Sequence, residues 1–222
     1  MLARTAGAFL LLLTPALAWG ESLRRAGIAF SAVTANLRLT SLSGSGSTAD
    51  PFVLGEEITD TGEAVLRVEV QDPEFGSRIG TLHAVGFLLA KRVTNRTAES
   101  WRSFSMALEF QRGEGSDYYD GLSFAQATRA GRPFRSDRFS RVREVPEPRD
   151  MVRFEDGRVA PGETATVRVA ITHTEPLPRF FLVQRIEHPV AGEATETAGL
   201  AADHGRDGEG AQNAGERGPC PD

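Results

Sequence analysis

The strongest constraint on this chain is a two-residue alternation of apolar and polar side chains, interrupted by glycine and proline turns. In Leu66-Arg67-Val68-Glu69-Val70-Gln71 the apolar residues fall on one face of an extended chain and the polar ones on the other. Phe104 to Gln111 repeats the pattern, and Val167, Val169 and Ile171 alternate with Thr166, Arg168 and Thr172. Two runs, Val85 to Ala90 and Phe180 to Val183, are apolar throughout and suit strands covered on both faces. Turn clusters separate these segments: Asp72-Pro73-Glu74, Gly113 to Asp117, Gly131-Arg132-Pro133 and Ala160-Pro161-Gly162-Glu163. No comparable stretch holds a 3.6-residue period. Short strands joined by turns, without intervening helices, predict an all-β chain built as a single antiparallel β-sandwich, immunoglobulin-like or jelly-roll-like. Gly27 to Leu42 reads as a strand with a bulge, Ser41 to Ser47 as a flexible connection, and Pro51 to Leu54 as the next ordered segment.

The first 18 residues have a different pattern. Met1-Leu2-Ala3-Arg4 is positively charged, Ala6 to Leu13 is apolar, and Pro15 precedes Ala16-Leu17-Ala18, a small-x-small cleavage site before Trp19. A membrane-spanning helix needs about 20 apolar residues, more than this run supplies. Residues 1–18 are therefore expected to be a cleaved signal peptide, which sends the chain to the periplasm or the extracellular space. No later run is long enough to span a bilayer as a helix. No cysteine follows the cleavage site for acylation. The single cysteine, Cys220, excludes an intramolecular disulfide and could link only two chains.

Residues 19–189 form the expected sandwich domain. From Val190 to Asp222 the chain is rich in Gly, Ala, Glu and Asp, with almost no large apolar residue beyond Leu200. That composition cannot offset the entropy of ordering and predicts a disordered acidic tail over 190–222. Its seven acidic residues, against Arg206 and Arg217, account for the whole net charge of -5. The body is near neutral, which argues against nucleic acid as a partner. Lysine occurs once, at Lys91; arginine supplies every other cationic side chain.

Common catalytic signatures are absent: no Gly-x-Ser-x-Gly elbow, His-Glu-x-x-His, Cys-x-x-Cys, phosphate loop or dinucleotide-binding glycine pattern. His83, His173, His188 and His204 are scattered at spacings that suggest no metal site. The most chemically suggestive segment runs from Gly113 to Phe124. Glu114, Asp117 and Asp120 offer carboxylates in a glycine-rich loop, the donor type calcium prefers, although Asp and Gly are also ordinary turn formers. Tyr118 and Tyr119 adjoin them and could stack on a sugar or pack at an edge. Further on, Arg132, Arg135 and Arg138 belong to an arginine-rich stretch interleaved with Phe134 and Phe139. They form either a solvated loop or a contact for an anionic polysaccharide, a lipid headgroup or the acidic tail. Asn95-Arg96-Thr97 fits the glycosylation acceptor pattern.

Val93-Thr94-Asn95-Arg96-Thr97, followed by Trp101 and Phe104, resembles a strand–turn–strand motif of poorly characterised exported β-sandwich domains in bacterial surface proteins. Asp120 to Ala125 and Val159 to Thr164 resemble later landmarks of such domains, so the likeness runs from about Val93 to Val183. It implies a fold and a compartment and supplies no catalytic residues. The hydrophobic C-terminal anchor of sorted members is missing. Trp101 and Phe104 are expected to plug the core, with Pro161 and Gly162 shaping the turn before the Val167–Ile171 strand.

Three functions remain in rank order. The first is a non-catalytic exported module that binds envelope polysaccharide or another exported protein. The second is a hydrolase or carbohydrate-active enzyme using Asp117 and Asp120. The third is a periplasmic protein that binds calcium or a small ligand.

Overall fold

The computed structural model describes residues 22–117, 119–124, 134–145, 148–176 and 178–187. The expected signal peptide and acidic tail, and with them Tyr118, Arg132, His188, His204 and Cys220, lie outside the described residues.

Fourteen strands make up the described chain, and none of it is helical: β1 (Ser22–Arg25), β2 (Ile28–Ala32), β3 (Leu37–Ser43), β4 (Phe52–Ile58), β5 (Ala64–Val70), β6 (Val85–Asn95), β7 (Ser103–Gln111), β8 (Glu114–Gly115), β9 (Leu122–Phe124), β10 (Arg135–Ser136), β11 (Phe139–Val145), β12 (Met151–Gly157), β13 (Thr164–His173) and β14 (Arg179–Glu187). They assemble into two sheets. Sheet A runs β1-β2-β5-β14-β7-β12-β11, with β8 added beside β7. Sheet B runs β10-β13-β6-β4-β3, with β9 added beside β13. The all-β sandwich read from the alternation is the fold.

Alternation decides which side chains enter the layer between the sheets. Sheet A contributes Phe30, Leu66, Val68, Phe104, Met106, Leu108, Phe154, Phe180 and Leu182, all buried. Sheet B contributes Leu39, Phe52, Leu54, Phe87, Leu89, Val93, Val167, Val169 and Ile171. Aromatic rings interlock at the centre, with Phe52 edge-on to Phe87 at 5.8 Å and to Phe30 at 5.9 Å. The two uniformly apolar runs are covered on both faces. On the outer side of sheet B, Leu88 packs with Ile79, Ala170 and Phe134; on that of sheet A, Val65, Phe181 and Val183 form their own cluster.

Three details differ from the sequence reading. One strand pair, β4 with β6, is parallel. Between them the chain crosses to sheet A as β5, so no hairpin dictates their relative direction. The segment from Gly27 to Leu42 is also two strands in different sheets, and the bulge falls between Leu39 and Ser41 within β3. After Ser43 the chain is pinned, because the Asp50 carbonyl accepts the amides of Ser45, Gly46 and Ser47. Gly44 has φ +83° there, and a Cβ would lie 1.9 Å from the Pro51 carbonyl oxygen, so glycine is required at that position.

Candidate functional site: charged residues on the two faces of sheet B

The Asp117/Asp120 loop is held by its own backbone. Asp117 Oδ1 accepts the amides of Tyr119 at 2.8 Å and Asp120 at 3.0 Å. Asp120 Oδ2 accepts the Asp117 amide at 3.1 Å, and Asp120 Oδ1 accepts from the Ser116 hydroxyl at 2.9 Å and the Leu122 amide at 3.1 Å. These are the side-chain-to-backbone bonds that make Asp a turn former. Glu114 is exposed on β8, and Tyr119 is 82% exposed. Among the described residues, no group of three or more His, Cys, Asp or Glu is placed to hold a metal ion.

The Asn-x-Thr segment forms a buried structural knot. Asn95 and Thr97 are buried; the Asn95 amide donates to the carbonyls of Glu99 at 2.7 Å and Val159 at 2.9 Å. Its Oδ1 accepts the Thr97 amide and hydroxyl, and the Trp101 indole donates to Thr97 Oγ1 at 3.2 Å. The Asn95 carbonyl accepts the Gly162 amide. Trp101, fully buried, also pairs through its backbone with Val159 and lies 6.3 Å from Phe104. Two landmarks about 60 residues apart in sequence thus meet at one point, and every polar group of the knot has a structural task. Asp150 closes a second knot: its Oδ2 accepts the Ser123 hydroxyl at 2.5 Å and the Phe124 amide at 2.8 Å.

Strand β6 carries charge on both of its faces. Lys91 follows Phe87 and Leu89 in the inward series and is fully buried. Its Nζ lies 3.0 Å from Glu56 Oε2 on β4, whose side chain is equally buried, and 6.0 Å from the centroid of the Phe104 ring. At that separation the two opposite charges attract directly. Burial pushes the Lys91 ammonium below its ordinary pKa, and Glu56 opposes that shift. On the inward series of the facing sheet, Gln184 is also fully buried. Neither its amide nitrogen nor its amide oxygen, nor Glu56 Oε1, makes a hydrogen bond.

The next residue, Arg92, points out of sheet B and is exposed. Thr166 stands opposite it in register, and Arg168 stands opposite Ala90. Across β13, Arg168 is in turn directly opposite Arg135 on β10. Directly opposed cross-strand residues share a face, so two cations sit side by side where like charges destabilise a sheet. Burial, and next the nearby Arg135, lower the Arg168 pKa. The Arg168 Nε is buried without a hydrogen-bond partner. Among the described residues no carboxylate pairs with Arg92, Arg135 or Arg168. Ala90, Arg135, Ser136, Asp137, Thr166 and Arg168 line a shallow cup of about 310 Å³ on this face. Asp137 is engaged there, accepting the Thr166 amide at 2.7 Å.

Neighbouring arginines are held differently. Arg138 pairs with Glu163 at 3.6 Å, and Arg38 and Arg96 both pair with Glu57. On the outer face of sheet A, Arg141, Arg143 and Arg153 converge on Glu155. Of the arginines read from the sequence, Arg135 is therefore unpaired and Arg138 is occupied. Arg92 and Arg168 were missed because sequence proximity groups Arg135 with Arg132 and Arg138, whereas sheet pairing groups it with residues 33 and 43 positions away. A usable signal existed: Arg92 and Arg168 occupy outward positions in strands whose inward residues are apolar.

No protein-family model, curated protein or solved structure matches this chain.

Proposed function

We propose that this chain is an exported, non-catalytic β-sandwich module that binds an anionic macromolecule of the cell envelope through the outer face of sheet B. The observation that carries this reading is the Arg92, Arg135 and Arg168 group. Arg135 and Arg168 line one shallow cup and Arg92 stands beside it opposite Thr166, none of them with a carboxylate ion-pair partner among the described residues, although carboxylates serve arginines elsewhere on both sheets. The leader-like opening segment supports export. The polar groups of the loop and knots are committed to backbone amides and carbonyls and to the Ser116 hydroxyl, which favours binding over hydrolysis.

Co-sedimentation of the full chain with isolated bacterial envelopes tests the reading. The protein is expected in the pellet at low ionic strength and in the supernatant near 1 M salt, where the screening length falls to about 3 Å. A chain that stays in the supernatant at low salt, or that pellets equally at both ionic strengths, would sink the proposal.

A further inference from the structure

The cup's chemistry narrows the partner further; this step rests on the binding reading above. We infer that the Arg135 and Arg168 cup, with Arg92 beside it, takes an acidic polysaccharide, reading the carboxylates of its sugar units. Three observations lead there.

First, the guanidinium groups are arranged to meet oxyanions. Arginine presents a planar fork that matches a carboxylate with two parallel hydrogen bonds. Arg135 and Arg168 stand opposite each other on adjacent strands, and an anion between them would turn a repulsive pair into a clamp.

Second, the cations are spread across the face. Arg135 on β10, Arg168 on β13 and Arg92 on β6 occupy three consecutive strands of sheet B. Neighbouring strands are about 4.8 Å apart, comparable with the length of one sugar ring. A polymer laid across the strands would bring one carboxylate to the opposed Arg135 and Arg168 and a further one to Arg92, which is offset by two residues along β6 from Ala90, the residue opposite Arg168. The Ser136 and Thr166 side chains at the lining suit sugar hydroxyls, and about 310 Å³ is at the small end of the range for ligand clefts, about 300–1,000 Å³.

Third, the face lacks what a bilayer would require. The exposed large apolar side chains among the described residues are Val33, Leu82 and Tyr119, and none lines the cup. A membrane-seeking surface would combine its cations with apolar side chains that insert at the interface. A second cleft, of about 250 Å³ between Val70, Phe75, Val85, Pro176 and Pro178, has a mainly apolar lining in which the charged side chain is the carboxylate of Asp72, not a cation.

Isothermal titration of the full chain at low salt provides the test. The probes are polygalacturonate, neutral dextran, inorganic phosphate, and vesicles containing phosphatidylglycerol. Polygalacturonate is expected to bind, and dextran and phosphate to remain silent. The double variant R135Q/R168Q should weaken polygalacturonate binding by about tenfold or more, the scale of one lost charge-assisted contact. R138Q, which removes an arginine already paired with Glu163, should leave it within about twofold. Silence toward polygalacturonate, or equal losses in both variants, overturns the inference. Vesicle binding that exceeds polygalacturonate binding and disappears in R135Q/R168Q overturns it in favour of lipid. Polygalacturonate silence with retained envelope co-sedimentation would leave the binding module standing and remove only the saccharide.

Discussion

Lys91 and Arg92 are adjacent on β6, yet they meet opposite physical problems. Lys91 enters the core, where an unpaired ammonium would be prohibitively costly, and it lies 3.0 Å from an equally buried carboxylate. Arg92 faces water, which solvates its charge, and the sheet places Arg168 and Arg135 near it without a carboxylate. Inside, the chain must supply the counterion. Outside, it need not, and a cluster of cations can persist at modest cost. Charge that is structurally compelled is found paired. Charge left unpaired on a folded surface is where a partner can act.

The sharpest way to break this comparison is to remove one half of the inner pair. K91M leaves the Glu56 carboxylate buried alone and should cost about 3–5 kcal/mol of stability by denaturant melts. The double variant E56L/K91M replaces both charges with apolar groups and should recover most of that loss, or exceed the original stability by about 1–4 kcal/mol. The sign with pH also follows. The unfolded state keeps the lysine proton up to about its ordinary pKa of 10.5, whereas the folded state releases it at lower pH. Between those values the unfolded state binds more protons, so this group makes stability rise as pH climbs toward 10.5. E56L/K91M should lack that component. K91M melting like the parent would show that the pair is not confined as described.

On the outer face the same manipulation should act in the opposite direction. R168T removes one member of the opposed Arg135/Arg168 pair and installs a β-branched residue suited to a strand. A gain of about 0.2–1 kcal/mol is expected in the ligand-free protein. A loss of more than about 1 kcal/mol would mean that Arg168 is a structural residue, and the contrast between the two faces of β6 would fail.

The same two faces explain what the sequence could and could not convey. Alternation in Leu66–Gln71, Phe104–Gln111 and Val167–Thr172 is a local property, and those segments fall on strands β5, β7 and β13, with Gln71 one residue past the end of β5. The doubly covered runs are likewise legible because burial on both faces leaves no polar position. Partnership between strands is not local. Nothing near Lys91 in sequence indicates Glu56, 35 residues earlier, or shows that β4 and β6 run parallel. The arginine cup was half visible: Arg135 stood out in an arginine-rich stretch, but Arg168 joins it, and Arg92 comes to stand beside it, only through sheet pairing. The V-T-N-x-T and A-P-G-E-T phrases looked like separate strand-and-turn elements. The fold joins them through the Asn95 carbonyl and amide, and so gives the Asn-x-Thr pattern a buried structural role.

The acidic loop extends the comparison to negative charge, with the smallest expected effect. Asp117 and Asp120 resemble ligands in sequence, yet three of their four oxygens already accept backbone amides or the Ser116 hydroxyl. Calcium would need six to eight oxygens and would have to compete with those bonds for the same lone pairs. Thermal unfolding of the full chain in millimolar calcium and in excess EDTA should therefore give superimposable curves. A site filled at 100 times its dissociation constant would add about 2.7 kcal/mol and move the midpoint by several degrees. A shift of that size, absent from the D117N/D120N variant, would show that the loop rearranges to bind metal. Its acids would then be unsatisfied charges awaiting a partner, like the arginines of the cup, and no longer turn formers held by their own backbone.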